Sequence, residues 1–204
     1  DQGPDAAQRY TVRLRDRPEI RVDSTRLIDT GNINTDTLFA PGLEAAANFQ
    51  NFYVQGEYFW YRFERELPGV LPDPDFGGWY VQAAWALTGE ARNWNPANGV
   101  FSGLKPAKPL SFGGEGWGAL ELAVRYSFTD LNFREELLPA AGGIRGGEQE
   151  AWTLGLNWYV NNNIRFLLDY QFVDVDRLSS GAANAYGTGV FVPPAGTQIG
   201  QDLE

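Results

Sequence analysis

Between Trp117 and Leu131 apolar and polar residues take turns along the chain. Leu120, Leu122, Val124, Tyr126 and Phe128 occupy even positions; Glu121, Ala123, Arg125, Ser127 and Thr129 occupy odd ones. Successive side chains of a β-strand point to opposite faces, so this segment has one oily side and one wet side. It is long enough to cross a bilayer, which takes about 9–11 residues of tilted strand. The same period runs through Phe52–Arg65, where Phe52, Val54, Tyr58 and Trp60 oppose Gln55, Glu57, Phe59 and Tyr61. It recurs in 79–88, 150–160 and 164–174, more weakly in 37–49, and in 9–15, where Tyr10, Val12 and Leu14 oppose Arg9, Thr11, Arg13 and Arg15. The pattern predicts seven strands and no helix.

Gln50–Asn51 and Asn161–Asn163 read as tight turns, because Asn tolerates the positive φ that hairpins need. Segments 16–36, 66–78, 132–149 and 175 onward read as longer loops. Membrane barrels pair short periplasmic turns with longer extracellular loops. Placing Asn161–Asn163 in the periplasm therefore puts these four loops outside. Segment 89–116 falls on the periplasmic side in spite of its length. It either folds back into the barrel or hides a weak strand pair, which changes the strand count by two.

The 204 residues fit one domain and include no Cys, Met or His. That composition excludes disulfides, thiol chemistry, zinc sites and histidine-based acid–base catalysis. The missing methionine points to a processed chain or a fragment. The N-terminal DQGPDAAQ carries no secretion leader, and no apolar run is long enough for a transmembrane helix. A net charge of −10 argues against a nucleic-acid partner. Aromatics make up 14% of the chain, with 7 Trp and 9 Tyr, residues suited to a membrane interface. The competing reading is a soluble, aromatic-rich carbohydrate-binding β domain. Trp and Tyr share their faces with Leu and Val, which favours lipid contact over a sugar platform. Asp73 and Asp75 could ligate calcium, but two carboxylates in a Pro/Gly turn are ordinarily solvated. GGEGWG (113–118) lacks the strand–turn–helix setting of a nucleotide loop.

Several phrases together resemble the phosphate-selective porin O and P family of Gram-negative outer membranes: RLRDRPEIRVDSTRLIDTG (13–31), VQGEYFWY (54–61), GWYVQAAWALTGEAR (78–92), GWGALELAVRYSFTDLN (116–132) and GGEQEAWTLGLNWYVNNNIRFLLDYQFVDVDR (146–177). The resemblance implies an all-β fold, an antiparallel transmembrane β-barrel of sixteen strands assembled as a homotrimer. This chain, 1–204, would be its C-terminal part, the ninth to fifteenth strands with the final strand missing. It also implies passive diffusion of small anions such as phosphate through an arginine-lined lumen, with outer-membrane lipid as surroundings and neither cofactor nor metal. On that reading Arg9, Arg13 and Arg15 form a row with neighbours about 7–14 Å apart at strand rise, and Arg125 and Arg165 stand on other wet faces. Lys105 and Lys108 add positive charge from segment 89–116, and loop 16–36, with Arg17, Arg21 and Arg26, resembles an inward-folding loop. Guanidinium forks suit phosphate and carboxylate oxygens. The plainer reading pairs these arginines with Glu44, Glu57, Glu121 and Asp169 on neighbouring wet faces.

Overall fold

The computed structural model describes residues 10–19, 26–65, 71–179, 194–199 and 201–203. Its strands are β1 (Thr11–Val12), β2 (Arg15–Asp16), β3 (Ile28–Asp29), β4 (Ile33–Phe39), β5 (Gly42–Phe49), β6 (Phe52–Arg65), β7 (Asp75–Ala86), β8 (Trp94–Asn95), β9 (Val100–Phe101), β10 (Ala119–Phe133), β11 (Ile144–Tyr159), β12 (Arg165–Asp176) and β13 (Gln201–Leu203). Among the described residues the helical content is a single 3₁₀ turn, Pro139–Ala141. The main sheet runs β1-β4-β6-β7-β10-β11-β12-β13, with β5 also on β6. All its pairings are antiparallel, and it curls into a half-barrel. β4 and β5 act as one strand, since Phe39↔Arg62 and Gly42↔Phe59 keep one register on β6. Pro41 interrupts the strand because it has no N–H to give. Its carbonyl still accepts the Trp60 amide at 3.1 Å.

Register assigns the two faces. Phe52, Trp85 and Leu122 align across three strands, as do Val54, Ala83, Val124, Leu154 and Tyr170 across five. This convex face leaves Leu43, Phe49, Trp85, Leu154, Phe166 and Leu168 exposed, each by 49% or more. A water-soluble protein rarely shows a contiguous apolar patch beyond a few hundred Å², so this face is built for hydrocarbon. Two aromatic rows border it. One joins Trp79, Tyr126 and Trp152, with ring centroids 5.1 and 4.8 Å apart. The other includes Phe52, Trp85 and the stacked pair Trp158–Phe166. Six residues separate the rows on β7 and on β11 (Trp79 to Trp85, Trp152 to Trp158), about 20 Å of strand. An apolar band between aromatic girdles is the external pattern of a membrane barrel. Beyond the first row the convex face turns acidic: Asp130, Glu148 and Asp176 align, and Glu150 faces Asp174. Acids outside the lipid band account for part of the −10 net charge.

The seven predicted strands all have counterparts, with shifted limits. β6 matches its predicted span, whereas β10, β11 and β12 reach farther toward the loop end, so the loop predicted at 132–149 shrinks to 134–143. The last segment forms one more short strand, β13, on Val173–Val175. The first predicted strand differs most. Residues 10–16 pair with the wall only at Thr11–Val12, then enter a hairpin in which Arg15 faces Asp29 and Asp16 faces Ile28. Val12 and Leu14 pack on a buried cluster of Leu27, Ile28, Ile33, Phe63, Phe76, Leu131, Ile144, Val173 and Val175. The sheet members of that cluster lie on the concave face. Alternation within 10–15 therefore belongs in part to a hairpin packed inside the curve, with Val12 and Leu14 against protein and not lipid.

Candidate functional site

The concave face carries a hydrogen-bonded row at a single register level: Gln55, Gln82, Arg125, Thr153 and Gln171, one residue from each of five strands. Gln82 donates to Gln55 at 2.9 Å, Arg125 Nη1 donates to Gln82 at 2.9 Å, and Gln171 donates to Thr153 at 3.1 Å. The gap between Arg125 and Thr153 is spanned from the hairpin by Glu19, which accepts from Arg125 Nε at 2.5 Å and from Thr153 Oγ1 at 3.0 Å. The Arg125 guanidinium also lies 3.6 Å from the centroid of the Tyr80 ring. Carboxylate, amide and ring thus fix this arginine from three directions.

Two recesses flank the row. The one toward the loop end holds about 440 Å³ and is lined by Arg17, Arg26, Arg125, Asp16, Glu19 and Gln149, among others. Arg15 borders an adjoining hollow that shares Asp16, Phe59 and Thr129. The recess toward the turn end holds about 410 Å³. Its floor is the aligned small residues Ala84, Ala123 and Gly155, whose short side chains leave room for solvent. Below it Glu121, 2% exposed, accepts from Arg92 at 2.6 Å, Asn157 at 3.0 Å and Tyr159 at 3.3 Å.

Arg92 starts the long connection after β7. That connection folds back into the curve and carries a small strand pair, β8 with β9, separate from the main sheet. Both sequence alternatives thus meet in part: the segment returns inside, and its strand pair is two residues a side and adds no wall strand. Leu104 packs with Ala86, Ala119 and Tyr159, and Phe101 sits edge-on to Tyr53.

The hairpin at the other end is held by Arg13, whose Nε donates to Asp29 at 2.7 Å while its Nη2 bonds the second carboxylate oxygen. Buried Arg177 donates to the Leu27 and Asp29 carbonyls at 3.2 and 3.1 Å. Gly147 makes this docking feasible: at φ 95°, a Cβ there would lie 2.8 Å from Ile28 Cγ2. Burial would push the Asp29 carboxyl up. The Arg13 fork, the Gly31 amide and the charges of Arg13 and Arg177 outweigh that and hold it below its ordinary value.

Of the residues singled out in the sequence, Arg125 lines the loop-end recess and Arg15 the adjoining hollow, and Arg13 sits on the same hairpin as Arg15, as a clasp. Arg165 lies at the turn end, six register positions from Arg125 or about 20 Å of strand, with its guanidinium 5.5 Å from the Tyr159 ring centroid. Lys105 and Lys108 are exposed on the folded-back segment. Arg9 lies outside the described residues, as does Arg21. The expected acidic partners were mostly displaced: Arg13 takes Asp29, Arg125 takes Glu19, and Glu121 takes Arg92. Asp73 and Asp75 accept from the Arg65 amide and Trp60 Nε1, and no metal-holding cluster occurs among the described residues.

Comparison with known proteins agrees with this geometry. The sequence model of the family described as phosphate-selective porin O and P matches residues 3–189. An uncharacterized protein of Caulobacter vibrioides is 36% identical over 170 residues, covering 83% of this chain and 31% of that protein. Porin O of Pseudomonas aeruginosa is 26% identical over 162 residues, covering 78% of this chain and 34% of its own length. The chain spans about a third of the length of these curated relatives.

Proposed function

Because the chain belongs to the phosphate-selective porin O and P family, a family of bacterial outer-membrane porins, we propose that it forms part of the wall and the inner lining of a pore that passes small anions by passive diffusion. The family is one of channels and not of enzymes. The observation that carries the anion reading is the loop-end recess, where Arg17, Arg26 and Arg125 converge on the wet face of a sheet whose opposite face is apolar. Fixed guanidinium groups keep their charge at any relevant pH and present paired donors to oxyanions. Rows of such cations favour anions in a channel. An ion passing the polar row would move from this recess into the one floored by Ala84, Ala123 and Gly155. Arg13 and Arg15 would supply charge toward the loop end, and Arg165, Lys105 and Lys108 toward the turn end. The remaining barrel strands and a homotrimeric assembly complete this reading.

Bilayer recordings of the complete protein that carries this chain test it. Arg17→Gln together with Arg26→Gln removes two of the three cations that the described residues place in the recess, while keeping hydrogen-bonding side chains. The anion-over-cation permeability ratio is expected to fall several-fold at about 0.1 M salt, where the Debye length of about 10 Å still lets those charges act across the recess. A ratio equal to that of the unaltered pore would defeat the assignment.

A further inference from the structure

We infer that Glu19 sets the strength of anion selection by masking Arg125. This inference rests on the anion-pathway reading and assigns a second, opposing charge to the same site. Glu19 belongs to the hairpin and not to the wall, yet its carboxylate reaches the wall at two points, Arg125 Nε and Thr153 Oγ1. It lies 106 residues from Arg125 in sequence. The carboxylate lines the same recess as the three arginines.

The charge count of the recess makes the consequence plain. Among the described residues, Arg17, Arg26 and Arg125 contribute three positive charges, and Asp16 and Glu19 two negative ones, leaving one net positive charge. Exchanging Glu19 for a neutral residue doubles that to two. A volume of about 440 Å³ corresponds to a cube about 8 Å on a side, within the Debye length of about 10 Å at 0.1 M salt. An ion anywhere in the recess therefore senses the difference. A guanidinium bonded to a carboxylate acts at a distance as a dipole, whose field fades faster than that of a lone charge. The other contacts of Arg125, the Gln82 oxygen and the Tyr80 ring, carry no formal charge. They would keep the guanidinium in place once Glu19 no longer neutralised it. Glu19 thus tempers the arginine: it holds the hairpin to the wall and keeps the site from gripping an anion too tightly to release it, a requirement for conduction.

The test is Glu19→Gln in the complete protein, with reversal potentials read under a KCl gradient at about 0.1 M and about 1 M mean salt. The anion-over-cation permeability ratio is expected to rise at least about threefold at the lower salt, the effect of one unit charge about 7 Å away in an aqueous medium. The rise should shrink at the higher salt, where the Debye length is about 3 Å. Glu19→Asp, which restores the charge, should reverse it. An unchanged or lower ratio in Glu19→Gln, beside an anion-selective unaltered pore, overturns the role of Glu19 and leaves the anion pathway standing. A rise of equal size at both salts also overturns it, since a displaced hairpin and not a charge would then be responsible. An unaltered pore indifferent to ion sign removes the anion pathway itself, and this inference with it.

Discussion

At the scale of single residues, the clasp between Arg13 and Asp29 has a definite pH dependence. The Asp29 carboxyl sits below its ordinary value in the folded chain. A group lowered on folding contributes its full stabilisation above the unfolded-state pKa of about 3.9, and loses it as pH falls through the lower folded value. Hairpin docking is therefore complete at neutral pH and weakens only in solution more acidic than about pH 4. Asp29→Asn should cost about 1–3 kcal/mol of docking at neutral pH. The amides of Leu27 and Thr30, bonded to the Asp16 and Leu14 carbonyls, should then exchange hydrogen faster than in the native chain, with the difference closing as pH falls through the lowered folded value of Asp29. Equal exchange at neutral pH would show that the clasp holds nothing. None of these pairings was legible in the sequence. Alternation places a side chain on a face but does not say which loop returns to meet it, and Glu19 and Asp29 both lie in the segment that folds inward. Arg125 was legible because it stands at a wet position of a recognisable strand, whereas Arg17 and Arg26 were reached only through the likeness of loop 16–36 to an inward-folding loop.

At the scale of elements, the folded-back connection between β7 and β10 is anchored by a buried ion pair, Arg92 with Glu121, beside the apolar contacts of Leu104 and Phe101. Arg92→Ala leaves Glu121 buried beside only Asn157 and Tyr159, a loss of about 3–5 kcal/mol by analogy with other broken buried pairs. Release of the segment should open residues 89–116 to protease added on the turn side and raise unitary conductance. A protease-resistant, equally conducting variant would mean that Leu104 and Phe101 suffice as anchors. The sequence identified the spanning strands because lipid on one side and water on the other impose a strict period of two. It blurred their loop ends because beyond the aromatic row the outer face meets polar surroundings. There Ile144–Glu150 reads as IRGGEQE and gives no apolar repeat. It did not reveal that Val12 and Leu14 pack on protein, because packing against protein produces the same repeat as packing against lipid. Folding back of 89–116 depends on scattered contacts, and no periodic signal marks those.

At the scale of the molecule, a group of acids stands apart from the arginines that line the recess. The acids Asp130, Glu148, Glu150, Asp174 and Asp176 stand on the outer face past the lipid band, while Arg17, Arg26 and Arg125 turn inward. A net charge of −10 is thus compatible with a cationic interior. The barrel face was the most legible feature of all, and the relatives and the curl of the sheet agree with it.

Along Gly42–Phe49 on one side and Arg165–Phe172 on the other, the described residues supply no neighbouring strand. Backbone amides and carbonyls left bare in hydrocarbon cost several kcal/mol apiece, and every second residue of each margin contributes two. Such a curved plate has no stable halfway stage in a bilayer. Entry into lipid and sealing of the seam become one event, and whatever completes this wall must arrive with it, not after it.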